Sequence, residues 1–292
     1  MRQFYRAEET LEGMRDEIFS GGRDLRFGLA LRGRETSGYD VGPMNTQKSK
    51  EQLDREKRAA ARAAVRWVRS GMTLGLGTGS TADYFIEFLG ERVRNEGIKI
   101  EAVASSKASE ELAQRVGIAI IPPRRGLHLD LAVDGTDEVA PDLSLIKGRG
   151  AALLREKVVA QASRYFLVVA DSSKRVARLG NCGLPVEVVP FALPWVTDQI
   201  VEMGGEATPM MDRNSPEKTA VSDQQNYLLD CKFGEIGDAQ ALAAKLDKIP
   251  GVVGHGLFLG YARAVLIAEG SDVLVLRRGG PPCAAGQFDG LP

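Results

Sequence analysis

The sequence predicts an α/β protein: a mostly parallel Rossmann-like sheet with helices on both faces, plus a small inserted α+β (ferredoxin-like) domain. Three observations predict it. From Met72 to Asp171, short apolar runs alternate with segments of helical period, the pattern of parallel strands joined by crossover helices. After residue 184 the order becomes β-α-β-β-α-β, that of a split ferredoxin-like unit. Three of the predicted strands end in polar loops, Thr78-Gly79-Ser80-Thr81, Asp134-Gly135-Thr136-Asp137 and Asp171-Ser172-Ser173-Lys174. Parallel strands carry such loops to one edge of the sheet, outside the carboxyl ends where open α/β sheets bind ligands.

Taken in order, residues 1–47 scatter Gly, Arg and Glu without a sustained period and read as a poorly ordered extension. Glu8, Glu9, Glu12, Asp16 and Glu17 argue against an acid-poor transit peptide, and no signal-peptide apolar core is present. Met44 opens a segment that runs straight into a helix, so the expectation is that translation starts there and that residues 1–43 are dispensable. Apolar and alanine positions predict an amphipathic helix from Lys48 to Arg69, stopped at Ser70-Gly71. Strands follow at Met72–Gly77, Ile98–Ala104, Ile118–Ile121, Leu129–Val133 and Tyr165–Ala170, with helices from Thr78 to Val93, Ala108 to Val116 and Ala151 to Ala162. The inserted unit comprises Val186–Val189, a helix Trp195–Met203, strands Glu206–Met211 and Tyr227–Phe233 around an Asp-Arg-Asn-Ser-Pro turn, a helix Ala239–Ile249 and a strand Val252–Leu259. Val265–Ala268 and Val273–Leu276 return to the large sheet. The expected domains are 48–184 with 260–278 for the α/β part and 185–259 for the small one, with an irregular tail at 279–292.

Composition limits the function classes. The chain is 43% hydrophobic and 26% charged with a formal net charge of −1, ordinary for a soluble globular protein. That balance gives no electrostatic case for nucleic acid or an acidic membrane, and no apolar run reaches the roughly 18 residues of a span. Cys182, Cys231 and Cys283 are odd in number and widely spaced, which reads as a reduced, cytoplasmic thiol set. With only His128 and His255, both read as structural, a His-rich metal site is nearly excluded, although an all-oxygen site is not.

The chemistry concentrates between Asp134 and Lys174. Gly77-Thr78-Gly79-Ser80-Thr81 at a helix start offers free amides and hydroxyls suited to a phosphate, although alone it is also an ordinary tight turn. No Gly-Lys-Ser/Thr follows it, and the next strand ends in Ser105-Ser106 without an acid for a ribose, so neither nucleotide fingerprint is completed. Asp134 and Asp137 suit sugar hydroxyls, or a helix-capping turn. Lys147-Gly148-Arg149-Gly150 precedes a helix and could turn amides toward an oxyanion. Glu156 has Ala152, Leu153, Val159 and Ala160 at i±3 and i±4, all apolar. Burial there raises a carboxyl pKa toward the range of a proton-transfer base. A structural ion pair within Arg155-Glu156-Lys157 stays open as the alternative.

GTGST, DGTDE, KGRGAALLREK, ADSSK and LPVEVVPF, in this order and spacing, resemble type A ribose-5-phosphate isomerase over about Lys48 to Leu276. Arg149 stands where many members have glycine, and Thr136 replaces a common alanine. The resemblance implies interconversion of D-ribose 5-phosphate and D-ribulose 5-phosphate through an enediolate, without cofactor or metal, in a homodimer or tetramer. It implies Glu156 as the base. Asp134, Asp137 and Lys147 would hold hydroxyls, assist ring opening and polarise the reacting oxygen. The amides of Gly148, Arg149 and Gly150 would face the enediolate, and Ser80, Thr81 and Lys174 the phosphate, with Thr78 and Gly79 shaping their loop and Gly135 and Thr136 completing the contact set. A non-catalytic sugar-phosphate sensor, an amino-sugar phosphate isomerase or an acyl-CoA transferase on a similar sheet are the rivals. The first would need a DNA-binding helix-turn-helix, which residues 1–70 do not present convincingly.

Overall fold

The computed structural model describes residues 48–212 and 215–288. The predicted N-terminal extension and the start at Met44 lie outside these residues, as do Arg213 and Asn214 of the predicted turn and residues 289–292 of the tail. In chain order the elements are α1 (Lys50–Val65), β1 (Thr73–Leu76), α2 (Ser80–Glu96), β2 (Glu101–Ala104), α3 (Lys107–Arg115), β3 (Ala119–Ile120), β4 (Leu129–Asp134), β5 (Glu138–Val139), β6 (Leu145–Ile146), α4 (Leu153–Ala162) and β7 (Ser163–Asp171). There follow β8 (Leu184–Val188), α5 (Leu193–Glu202), β9 (Glu206–Pro209), β10 (Tyr227–Lys232), α6 (Ala239–Leu246), β11 (Val252–His255), β12 (Leu257–Phe258), β13 (Ala264–Glu269), β14 (Asp272–Arg277) and β15 (Gly280–Ala284).

The large sheet runs β15-β14-β13-β7-β4-β1-β2-β3. Its strands are parallel from β13 to β3, with antiparallel β14 and β15 at one end. Alternate residues divide the two faces, as strand geometry requires. Leu131, Val133, Leu167 and Val169 pack under α1, α2 and α3, whereas Ala132, Phe166, Val168 and Ala170 face Val159 of α4. The chain steps from β1 outward through β2 and β3, then returns to place β4 on the other side of β1. The crevice between the ends of β1 and β4 is therefore the topological switch point, where such sheets bind ligands.

The small antiparallel sheet runs β11-β8-β10-β9, the strand order of a ferredoxin-like unit. Two features depart from the sequence expectation. The predicted strand Val252–Leu259 divides at Gly256: its first part pairs with β8, its second with β6. The second part joins β5 and β6 in a three-stranded sheet that strands of two residues give no period to predict. The tail is the second correction. Gly280–Ala284 is not irregular but adds an edge strand to β14, and Pro281 and Pro282 are tolerated there because they fall at the register shift opposite Val275–Arg277, where neither has a ladder partner.

Candidate active site

At the switch point β1 and β4 run so close that a Cβ on Gly77 would lie 2.5 Å from the Asp134 Cα, so only glycine fits. Asp134, the last residue of β4, is buried, and its Oδ1 accepts from the Thr78 amide (3.0 Å) and the Gly135 amide (2.7 Å). Its Oδ2 stands 3.0 Å from Lys147 Nζ. That ammonium, only 2% exposed, also donates to Glu156 Oε1 at 3.0 Å and to the Gly135 carbonyl at 2.6 Å. One cation thus sits between two buried carboxylates.

Glu156 lies in the first turn of α4 and is buried, as its apolar neighbours implied. Its Oε2 has no hydrogen-bond partner among the described residues. Burial pushes its pKa up to about 8; Lys147 opposes that shift and Asp134 reinforces it. Burial also works against the Lys147 ammonium, but Asp134 and Glu156 outweigh it and raise its pKa. The alternative of an ion pair within Arg155-Glu156-Lys157 does not hold. Arg155 pairs with Asp223 at 3.3 Å, and Lys157 donates to the His255 carbonyl at 2.6 Å.

The turn before α4 is tighter than predicted. Gly148 has φ +103°, and Ala151 also adopts a positive φ of 60°, so the helix begins at Leu153 rather than Ala151. Of the three amides in the turn, that of Arg149 donates to Asp137 Oδ2 at 3.1 Å. Those of Gly148 and Gly150 have no acceptor among the described residues. The Arg149 side chain leaves the crevice for Asp230 Oδ1 (3.0 Å) and the Gly183 carbonyl (3.2 Å) on the small-sheet side. Thr136 Oγ1 donates to the carbonyls of Glu138 and Ile146, fixing the DGTDE turn against β6.

The first loop is built differently from its sequence reading. Thr78 Oγ1 stands 2.7 Å from Ser105 Oγ and 2.9 Å from Ser106 Oγ, and Ser109 Oγ closes the cluster by donating to the Gly77 carbonyl. The sequence places Ser105-Ser106 only as a strand end without an acid; their contact with Thr78, and the part of Ser109, depend on a partner about thirty residues away. With Thr78 turned inward, Gly79 (φ +102°) caps α2 without a side-chain bond, so the first-turn amides at Ser80 and Thr81 remain an anion-binding helix start. Half-buried Asp83, also unanticipated, stands in that turn. Burial, then Glu87 and Asp134, pushes its pKa up to about 6. Lys174 lies at the carboxyl end of β7, next to β4 in the sheet, half-buried and without an ion-pair partner among the described residues. Asp134, Lys147 and Glu156 are thus in direct contact. Asp137 is held apart from them by the Arg149 amide, and Lys174 makes no hydrogen bond or ion pair to them among the described residues.

Residues 101–272 match the family model for ribose 5-phosphate isomerase A, also called phosphoriboisomerase A. The chain belongs to this family. A ribose-5-phosphate isomerase A from Nitrobacter hamburgensis is 47% identical over 230 residues, covering 77% of this chain and 99% of that protein. One from Sphingopyxis alaskensis is 45% identical over 224 residues, covering 77% and 96%. Among solved structures, ribose 5-phosphate isomerase A from Methanocaldococcus jannaschii is 36% identical with a TM-score of 0.73, covering 77% of this chain and 99% of that one. A D-ribose-5-phosphate isomerase in complex with phospho-erythronic acid is 35% identical with a TM-score of 0.74, again covering 77% and 99%. Among the described residues no helix is long and apolar enough to cross a membrane.

Proposed function

We propose that Glu156 carries the proton between C2 and C1 in the interconversion of D-ribose 5-phosphate and D-ribulose 5-phosphate. The single observation behind this role is the division of its carboxylate: Lys147 holds Oε1 at 3.0 Å, while Oε2 is buried and unpartnered. A pKa of about 8 suits a group that must both take and return a proton near neutrality.

In the open-chain aldose, Glu156 removes the C2 hydrogen as a proton and the electron pair moves through C1 to O1. The enediolate charge falls within reach of Lys147 and the unpaired amides of Gly148 and Gly150, the donors an oxyanion requires. Glu156 returns its proton to C1, the O2 proton ends on O1, and the ketose results with no net change in protons. Asp134, 3.0 Å from Lys147 Nζ, and Asp137 grip the sugar hydroxyls and assist ring opening. The amides at Ser80 and Thr81 and the Lys174 ammonium take the phosphate. Arg149 has a different role from the one its motif suggests: its side chain braces the turn against Asp230 and its amide orients Asp137. Neither metal nor cofactor enters these steps.

A homodimer or tetramer is the assembly the family suggests, and exposed Phe191 and Trp195, in ring contact at 5.5 Å, support an apolar association surface. The free thiols of Cys182, Cys231 and Cys283 support a reducing, cytoplasmic setting. Incubating the full chain with ribose 5-phosphate and a chelator tests the reaction. Ketose formation is expected; binding without turnover would favour a sugar-phosphate sensor instead.

A further inference from the structure

Glu56 stands on α1, away from the constellation above, yet it is only 2% exposed. Its Oε1 accepts from Lys48 Nζ and from the Gly270 amide, each at 2.8 Å. Its Oε2 accepts from the Ser172 hydroxyl at 2.7 Å and the Ser172 amide at 3.1 Å. Lys48 Nζ closes the ring by donating to Ser172 Oγ at 2.8 Å. The next residue is clamped likewise, for both the amide and the hydroxyl of Ser173 donate to Asp171 Oδ1. Both serine hydroxyls of this turn are therefore directed to carboxylates, which leaves Lys174 as its cationic group, without an ion-pair partner among the described residues.

We propose that Glu56 is a positioning residue for the substrate phosphate: it locks Ser172 to α1 and to the β13–β14 turn, and so fixes the backbone from which Lys174 reaches the anion. The inference rests on Lys174 being a phosphate anchor. A lysine is a flexible stem carrying a point charge, so the place of its Cα decides which volume the ammonium can reach. Loosening the turn weakens a contact made equally in ground and transition states, which appears in KM rather than kcat. Glu56→Gln keeps the shape but sets an amide NH2 against N–H donors on one side, so it cannot accept from both Ser172 and Gly270.

Steady-state kinetics with ribose 5-phosphate on the full chain, for Glu56→Gln, Lys174→Ala and the double variant, test this. Glu56→Gln is expected to raise KM about 5- to 20-fold with kcat within about twofold, and the double variant to be no worse than Lys174→Ala alone. If Lys174→Ala raises KM and Glu56→Gln does not, the positioning role is overturned while the anchor stands. Effects that multiply in the double variant overturn it too, because Glu56 would then act independently of Lys174. If Lys174→Ala leaves KM unchanged, the anchor reading fails and the inference falls with it. Should Glu56→Gln not fold, Ser172→Ala removes only the hydroxyl link, with an expected KM rise of about two- to fourfold and the same non-additivity.

Discussion

Replacing Glu156 by glutamine removes the charge and the proton acceptor while preserving the outline of the side chain. The amide oxygen can take the place of Oε1 and accept from Lys147 at its present 3.0 Å, so α4 and the ammonium stay where they are. The amide nitrogen then replaces Oε2, the atom without a partner, and it cannot accept a proton. Losing a general base costs about 10²- to 10⁴-fold in kcat. At 1.36 kcal/mol per decade that is about 2.7–5.4 kcal/mol of barrier. Ketose formation at saturating ribose 5-phosphate measures the loss, and a thermal melt checks that folding is little changed. Turnover within about threefold of the wild type would remove Glu156 from its role, because no positioned base is worth so little.

Further expectations follow from the same geometry. Lys147→Met leaves Asp134 and Glu156 buried without the cation between them. It should cost about 3–5 kcal/mol in urea unfolding, because truncating one partner leaves buried charge uncompensated; a cost under about 1 kcal/mol would contradict this. Asp83 is ionised above about pH 6 in the turn assigned to phosphate. Asp83→Asn should therefore lower KM by about two- to fivefold at pH 8 and leave it unchanged at pH 5; a pH-independent effect would contradict this. Burial opposes the charge of Glu56, but the Gly270 amide, Lys48 and Ser172 together lower its pKa from 4.5 to about 2. A depressed acid stabilises the fold above its unfolded pKa and loses that contribution as pH falls through its folded one. The loss should amount to about 3 kcal/mol between pH 4.5 and 2, and the acid limb of the unfolding profile should be shallower in Glu56→Gln.

Much of the site was legible because its elements are local. Glu156 declared itself by the apolar residues one turn away on either side, and the polar strand ends at Thr78, Asp134 and Asp171 needed only the rule that parallel strands share an edge. What escaped the sequence depends on pairing across the fold. Ser105, Ser106 and Ser109 meet Thr78 only when β1 and β2 lie side by side, and short strands such as Glu138–Val139 have no period of their own. The Arg149 amide read as a donor to the enediolate because nothing nearby in sequence announces that Asp137 accepts from it or that Asp230 holds its side chain. Glu56 left a fainter signal. It precedes buried Ala60 and Ala64 by one and two turns on the core-facing stripe of α1, where a carboxylate needs partners. Those partners, Ser172 and Gly270, come from remote parts of the chain. Pro281 and Pro282 looked like breakers, but they fall at a register shift of an edge strand, where no ladder bond is asked of them.

Isotope tracing of the substrate hydrogen addresses Glu156 most directly. With the wild-type chain holding ribose 5-phosphate and ribulose 5-phosphate at equilibrium in deuterated water, many passages through the enediolate should build deuterium into C2 of the aldose and C1 of the ketose, read by NMR. Glu156→Gln should slow that incorporation together with turnover. Exchange or interconversion at the wild-type rate in Glu156→Gln would contradict a proton carried by this carboxylate.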